Sequence, residues 1–400
     1  MRVGIIGCGN ISDIYVRNAN LFRDIEIIAC ADINPAAAER LARKYSLRET
    51  SVRALLAADD IEIILNLTLP VGHAEVSRAA LAAGKHVYSE KPLATSLQDA
   101  VALIEEAEAK DLRVGCAPDT ILGAGLQTAK ALIDEGRVGQ IITGLAAVMT
   151  KGMEHWHPNP ALFYQKGAGP MLDLGPYYVS AVTALLGPVS QVRAVGQISP
   201  VERRFGEGPK KGETFSVGTF TTLNTILTFS SGAIVSFLAS WDVWRHGVRP
   251  IELHGTLASI RVPDPDTFGG DVELSANSGL LNIHDPSSVA LVSTQVDWLI
   301  HKTDEKPFGG INYPLGNPVV ANYRSVGLAE MANAIVEGRP HRCSGRFALH
   351  ALAVMLGIIE SAESGQAVTI GVPGTTFPPL TDEEAKHLLL RPFENTSPVA

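Results

Sequence analysis

The residues best suited to chemistry lie far apart along the chain. Lys91 stands in the run Gly84-Lys85-His86-Val87-Tyr88-Ser89-Glu90-Lys91-Pro92-Leu93-Ala94, where Val87 and Tyr88 centre a short buried strand. Pro92 has no N–H to give, so the ladder stops there. Glu90 and Lys91 then fall at the strand's carboxyl end, the edge where open α/β sheets bind ligands. A lysine at that edge can hydrogen-bond a reacting oxygen, with burial or a nearby cation lowering its pKa. The plainer reading is a surface ion pair. Asp173 and Tyr177 stand four apart, so a helical turn would put them on one face. Pro176 suits a first helical turn, which would leave Asp173 just ahead of it. A tyrosine hydroxyl held near a lysine and a cationic ligand can be acidified enough to act as a general base. Without that setting Asp173 is a helix cap and Tyr177 a core aromatic. The third stretch is Lys151-Gly152-Met153-Glu154-His155-Trp156-His157-Pro158-Asn159-Pro160. Trp156 offers an apolar face to a sugar ring, and Lys151, His155 and His157 offer donors to hydroxyls; the alternative is an ordinary loop held by its prolines. His155-x-His157 has no carboxylate or cysteine at ligand spacing, so no metal is expected.

A cofactor site is written at the N-terminus. Residues 3–6 are an apolar run ending at Gly7-Cys8-Gly9-Asn10-Ile11-Ser12, followed by a helical pattern through residue 22. A second strand, 25–31, ends in Asp32, at about the 20-residue offset of a dinucleotide fingerprint. Gly7 permits the tight turn, Gly9 lets the backbone approach a pyrophosphate, and the helix supplies N–H donors and a positive dipole end. Ser12 stands where a third glycine or alanine is usual, and is still small. Asp32 accepts from ribose hydroxyls and repels a 2′-phosphate, favouring NAD over NADP; neither Arg40 nor Arg43 directly follows the acid, where a phosphate clamp is expected. Asn10, Ile11 and Ile33, with Thr68, Leu69 and Pro70 on a loop leaving the same sheet edge, complete the expected cofactor contacts. His73 lines that crevice or merely starts a helix.

The elements that must place these residues change character near residue 118. Before it, helical patterns at 35–45, 74–83 and 96–110 alternate with strands at 61–66, 87–88 and 112–117, which implies a doubly wound parallel sheet. Beyond a helix at 125–135, strands at 141–149, 190–197, 216–220, 225–229, 234–239 and 251–255 follow without crossover helices. Ser230-Ser231-Gly232 is a hairpin signal. These imply a largely antiparallel open sheet with helices on one face, its other face free to join copies of the chain as a homodimer or homotetramer. Helices are expected at 326–336 and 347–364 and one short helix past 381, whereas 263–320 shows no pattern. The division is thus 1–118 for the cofactor domain and 119–400 for an α+β domain of substrate binding and oligomerisation.

Apolar residues make up 46% of the 400 and charged residues 19%, a globular composition. A net charge of −9 with no basic run argues against nucleic acid. Cys8, Cys30, Cys116 and Cys343 are scattered, which suits buried thiols in a reducing compartment. The sequence opens on a strand rather than a leader peptide, and no apolar run of transmembrane length stands out; a soluble, cytoplasmic protein without a membrane partner is the expectation.

Together these pieces resemble the Gfo/Idh/MocA family, which includes glucose–fructose oxidoreductase, inositol dehydrogenase and many sugar dehydrogenases. The resemblance covers essentially the whole chain. It rests on Gly7-Cys8-Gly9-Asn10-Ile11, on Ala82-Ala83-Gly84-Lys85-His86-Val87 running into Glu90-Lys91-Pro92, and on Asp173-Leu174-Gly175 before an aromatic. It implies a Rossmann domain, Lys91 contacting the reacting hydroxyl and the nicotinamide ribose, and Asp173 as the site carboxylate. Many members carry a histidine proton acceptor where this chain has Tyr177; glucose–fructose oxidoreductase is similar in placing a tyrosine there. Leu69-Pro70 departs from the family's usual Pro followed by a polar residue. The activity implied is NAD-dependent hydride transfer at a hydroxyl-bearing carbon of a sugar, sugar derivative or cyclitol. Asp119 is counted with the substrate residues, Glu90 as a structural or cofactor-side partner, and Pro92 as the device aiming Lys91, a cis bond being one way to do so. Two other readings stay open: an NAD-dependent glycosidase using transient C3 oxidation and elimination, with Tyr177, His155 or His157 as C2 base, and a non-catalytic NAD-binding regulatory protein.

Overall fold

The computed structural model describes residues 1–276, 298–311 and 322–391. Its first sheet is wholly parallel: β1 (Arg2–Ile6), β2 (Glu26–Ala31), β3 (Arg48–Glu49), β4 (Ile63–Asn66), β5 (His86–Ser89) and β6 (Val114–Cys116), in the order 3-2-1-4-5-6. The central strands are buried end to end because helices cover both faces: α1 (Ser12–Ala19), α2 (Pro35–Tyr45), α3 (Val52–Ala57), α4 (His73–Ala82) and α5 (Leu97–Ala109). Local chemistry starts several of them. The Asn34 side chain accepts from the Ala36 N–H ahead of Pro35, and Ser96 accepts from the Asp99 N–H. Strand order reverses between β1 and β4, so the Gly7 and Thr68 loops open a crevice at one sheet edge. Neither β3 nor α3 was expected, since a two-residue edge strand is too short to show a period. The first helix stops at Ala19, short of the expected 22.

The second sheet has nine strands in the order 16-15-14-13-7-12-11-8-17. They are β7 (Ile141–Met149), β8 (Val189–Gln197), β11 (Thr222–Phe229), β12 (Ile234–Ser240), β13 (Ile251–Gly255), β14 (Ala258–Val262), β15 (Val272–Ala276), β16 (Trp298–His301) and β17 (Val368–Thr369). Its strand pairs are antiparallel apart from β7–β12, which run in parallel. Between β8 and β11, β9 (Glu202–Arg204) and β10 (Thr214–Ser216) form a separate antiparallel ribbon. The strand expected at 216–220 is therefore corrected. Phe215 and Val217 turn towards a small core of their own, with Met153, Tyr164 and Trp241, and do not extend the large sheet. The stretch 263–320, patternless in sequence, contains β15 and β16; residues 277–297 and 312–321 of it lie outside the described residues.

One face of this sheet is covered by α6 (Ala124–Asp134), α8 (Gly175–Leu186) and the helix Gly345–Ser364. The last is 20 residues long, and its most apolar 18-residue window has a mean hydropathy of 1.4, by length and composition apolar enough to cross a membrane, which the sequence reading did not mark. It is a largely buried helix packed on β8 and α8: His350 Nε2 accepts from the Val189 N–H at 3.1 Å, and Ser361 Oγ from the Ala194 N–H at 2.9 Å. The chain beyond residue 322 then returns to the first sheet. Asn18 donates to the Asn322 carbonyl at 2.6 Å, Ser325 Oγ to the Tyr15 carbonyl at 3.0 Å, and the Cys116 N–H to the Cys343 carbonyl at 3.0 Å. That return carries Arg324 back beside α1. All four cysteines are free and buried.

Candidate active site

The glycine turn is built for a close approach. Gly7 has φ +104°, and a Cβ there would lie 2.5 Å from the Leu67 carbonyl carbon, so no other residue fits. A Cβ on Gly9 would meet nothing within 4 Å, which leaves open space above the turn for a pyrophosphate. Asp32 is aimed by its neighbours: Oδ2 accepts from the Cys8 N–H and Oδ1 from the Asn34 N–H, both at 2.7 Å. Ser12 is buried, its Oγ donating to the Gly9 carbonyl at 2.6 Å. Asn10 is exposed and Ile11 precedes α1 with no side-chain cap; the Ser12 N–H donates to the Gly9 carbonyl at 3.1 Å. Ile33, 96% exposed, and Leu69, 75% exposed, stand out at neighbouring loops where a planar base could lie. Thr68 is held by Asn66 Oδ1, which accepts from its Oγ1 at 2.7 Å, and Pro70 begins a short turn into α4. These residues fit a dinucleotide. His73 corrects the expected cofactor contact: it is buried, with Nδ1 2.7 Å from the Pro92 carbonyl and Nε2 2.9 Å from the Thr68 carbonyl. With both ring nitrogens engaged it pins two crevice loops together and has none to offer a ligand.

Lys91 gathers the reactive groups. Its Nζ donates to the Asp173 carbonyl at 2.6 Å and to Asp173 Oδ1 at 3.1 Å, and lies 5.2 Å from the Tyr177 ring centroid. Glu90 works from the side, accepting from Tyr15 Oη at 2.7 Å and from the Lys91 N–H at 3.0 Å; the Lys91–Pro92 peptide is cis. Asp173 and Tyr177 do not share one helical face. Asp173 ends the short helix α7 (Pro170–Asp173), Leu174 breaks the run, and α8 starts at Gly175 with Pro176 in its first turn. It is Lys91, from the other domain, that brings the two together.

The electrostatics overturn two expectations. Burial alone pulls the Lys91 ammonium down, but the charges of Asp173, Tyr177 and Glu90 outweigh it and its pKa is raised. Tyr177 is pushed up to about 12, burial outweighing the help of Lys91 and Arg324, with Asp266 opposing them. Lys91 is a proton-holding donor, and Tyr177 keeps its proton until further positive charge arrives. Asp266 and Arg324 are thus charges acting on Tyr177 that sequence reasoning missed. The first sits among alternating prolines and aspartates at 263–266 and the second beyond a long patternless stretch, so no period marked either. Next to Tyr177, Tyr178 donates to Asp264 Oδ1 at 3.0 Å, tying α8 to the same loop.

Asp119 is corrected as a substrate residue. It is buried, accepts from the Tyr88 hydroxyl and from the Ser325 N–H at 2.7 Å, and is raised to about 6 chiefly by burial. Its carboxyl fastens the returning chain to β5. The 151–164 loop leaves the carboxyl end of β7, beside that of its parallel neighbour β12. Lys151 Nζ lies 5.6 Å from the Trp244 ring, His155 packs on Trp244 at 5.4 Å, and His157 meets both Trp156 at 5.4 Å and Phe163 at 4.8 Å. Among the described residues none of Lys151, His155, Trp156 and His157 bonds to Lys91 or Asp173. Their link to the site is Leu174, which packs against the small core that contains Met153, Tyr164 and Trp241. A separate cleft of about 640 Å³ opens at the amino end of β6, lined by Arg113, His341 and Arg342 among others, at the sheet edge opposite Lys91.

A doubly wound domain with this turn, joined to an open sheet whose covering helices α7 and α8 supply Asp173 and Tyr177, defines an NAD-binding oxidoreductase class. Residues 1–117 match the family model described as "Oxidoreductase family, NAD-binding Rossmann fold", and residues 126–261 match the "GFO/IDH/MocA C-terminal domain". The chain belongs to the Gfo/Idh/MocA family. It is 27% identical to levoglucosan dehydrogenase of Pseudarthrobacter phenanthrenivorans over 253 residues, 58% of this chain and 63% of that one, so the match spans just under two thirds of that relative. It is 23% identical to inositol 2-dehydrogenase of Rhizobium meliloti over 265 residues, 65% of this chain and 74% of the other. Among solved structures, levoglucosan dehydrogenase in complex with NADH and L-sorbose superposes with a TM-score of 0.75 at 22% identity, covering 93% of this chain and 99% of that one. An NAD-binding oxidoreductase from Klebsiella pneumoniae gives a TM-score of 0.75 at 23% identity, covering 92% and 99%. The two-sheet architecture read from sequence is shared by these folds.

Proposed function

We propose that this chain is an NAD-dependent dehydrogenase acting on a hydroxyl-bearing carbon of a sugar, sugar derivative or cyclitol. The observation that carries the reading is Lys91 Nζ, held by two acceptors of Asp173 and set against Tyr177 at the mouth of the dinucleotide crevice. The backbone of the Gly7–Gly9 turn and the positive dipole end of α1 would hold the pyrophosphate, Asp32 the ribose hydroxyls, and Ile33 and Leu69 the base. NAD, when bound, accepts the hydride from the substrate carbon. Lys91 donates a hydrogen bond to the substrate oxygen and stabilises the charge that develops there. As the phenolate, Tyr177 Oη receives the hydroxyl proton, and Asp173 fixes Lys91 in place. The carboxylate of Asp32 supports NAD over NADP. Named relatives are dehydrogenases of sugars and cyclitols, and no observation favours the glycosidase or regulatory readings. The outward side chains Val195, Ile226 and Ile234 share the uncovered face of the second sheet, which supports a homodimer or homotetramer through it. A cytoplasmic enzyme remains part of the proposal. The test is a panel of sugars and cyclitols with NAD, read by NADH absorbance. Absence of NADH formation with every compound, while NAD still binds, would sink the reading.

A further inference from the structure

Two tryptophans are held out into solvent beside the site: Trp156 is 62% exposed and Trp244 77% exposed. Indole surface is costly to leave in water, and a contiguous exposed aromatic patch marks a place where something binds. Here the exposed rings make two runs of contacts that adjoin in sequence at His155 and Trp156. Lys151 and His155 flank the Trp244 ring, and Trp156, His157 and Phe163 make the second run edge to face.

The patch is also held rigid from beneath. Buried Arg203 donates Nη1 to Glu154 Oε1 at 2.6 Å and to the Trp241 carbonyl at 3.3 Å, and Nη2 to Asp242. Glu154 also accepts from the Tyr164 hydroxyl, and Asp242 Oδ2 accepts from Thr221 and Thr222 at 2.7 and 2.6 Å. The segments carrying both exposed tryptophans are therefore fastened to one guanidinium. A buried ion network adds little to stability over apolar packing, but it fixes geometry. What it fixes is the position of Glu154 relative to Trp241 and Asp242, where the two segments leave the core. Leu174, the residue after Asp173, packs against the small core that contains Met153 and Trp241, the residues from which both tryptophan-bearing segments lead.

A pyranose ring has one face of C–H bonds and a rim of hydroxyls. An indole flanked by an ammonium and an imidazole matches both at once. We propose that Trp244, with Lys151 and His155, is a subsite for a second sugar ring, so that the substrate is a disaccharide or longer glycoside and not a free monosaccharide. The inference rests on the dehydrogenase reading and narrows its substrate class.

The test uses the full chain with NAD bound. Isothermal titration compares glucose with cellobiose and maltose, galactose with lactose, and p-nitrophenyl glucoside, with NADH formation followed on the same samples. At least one disaccharide is expected to bind ten or more times tighter than its monosaccharide. Trp244→Ala should bring that ratio close to one, and Trp244→Phe should restore part of it. Equal affinity within every pair would overturn the subsite, as would a loss in Trp244→Ala that is the same for both members. A gain for the aryl glucoside alone would overturn the second-sugar assignment in favour of an aromatic aglycone. If Trp244→Ala alters only the oligomeric state, the patch is an interface between copies and the proposal falls. Should that variant fold poorly, Lys151→Met gives the same comparison. NADH formation without any disaccharide gain rejects the subsite alone, whereas disaccharide binding without NADH from any compound rejects the dehydrogenase reading.

Discussion

Lys91 is a cation with three anionic or ionisable neighbours, and its role follows from that balance. A lysine whose pKa is raised cannot serve as a base at neutral pH; it can only donate. Lys91→Met should lower kcat by about 10²–10³ or more, the scale of losing one oxyanion donor, while NAD affinity by fluorescence titration stays within a few-fold. Near-normal turnover would remove Lys91 from the mechanism. Tyr177 sets the pH dependence. Its reactive form is the phenolate, its pKa is pushed up to about 12, and positive charge from the oxidised nicotinamide adds to that of Lys91 and Arg324. Oxidative kcat should therefore climb with pH, up to about tenfold per unit, until the cofactor-bound pKa is reached. Tyr177→Phe should lose both the rate and the slope; a flat wild-type profile would count against the assignment. Lys91, Asp173 and Tyr177 were legible by residue type and motif. Their protonation states were not, because burial and Asp266 and Arg324 decide them from distant parts of the chain.

At the scale of elements, the glycine turn separates two kinds of constraint. Gly7→Ala places a methyl against the Leu67 backbone at a positive φ, and should cost about 1–3 kcal/mol of unfolding free energy. Gly9→Ala has room in the protein itself. It should leave the melting temperature unchanged and weaken NAD binding, because the methyl occupies the space above the turn. Equal effects of the two on stability would show that this space is not reserved for the cofactor. Strands such as β7 and β13 were readable to the residue, since each is a long run of strand-forming side chains with clear ends. The break at Leu174 was not. Asp173-Leu174-Gly175-Pro176 carries both helix and stop signals, and only the packing of Leu174 against the small core settles where one helix ends and the next begins. His73 was likewise ambiguous until two carbonyls met its ring.

The whole molecule is closed by the returning C-terminal segment, and Asp119 is one of its fasteners. Its carboxyl, raised to about 6 by burial, binds its proton more tightly folded than unfolded. The stabilisation it gives is thus complete below about pH 4 and is lost as pH rises through about 6, a change of roughly 2–3 kcal/mol. Asp119→Asn can still accept from the Ser325 N–H while its amide faces the Tyr88 oxygen. Urea unfolding between these pH values should be steeper in pH for the wild type than for the variant; parallel curves would refute the assignment. On the uncovered face of the second sheet, Val195→Asp combined with Ile226→Asp puts charge into the proposed interface. Sedimentation should show the oligomer falling to monomer, and an unchanged mass would place the interface elsewhere.

Local pattern by itself determined the glycine turn, the alternation of the first sheet and the largely antiparallel character of the second; it marked Lys91, Asp173 and Tyr177 only as candidates. Each of these depends on neighbours within a few residues, so side-chain period and turn chemistry expose it. Tertiary structure alone decided that Lys91 stays charged, that Tyr177 resists ionisation, that His73 and Asp119 are fasteners, and that Asp266 and Arg324 act on Tyr177. Those properties come from burial and from charges set close together by residues up to hundreds of positions apart, and a linear period carries no record of them.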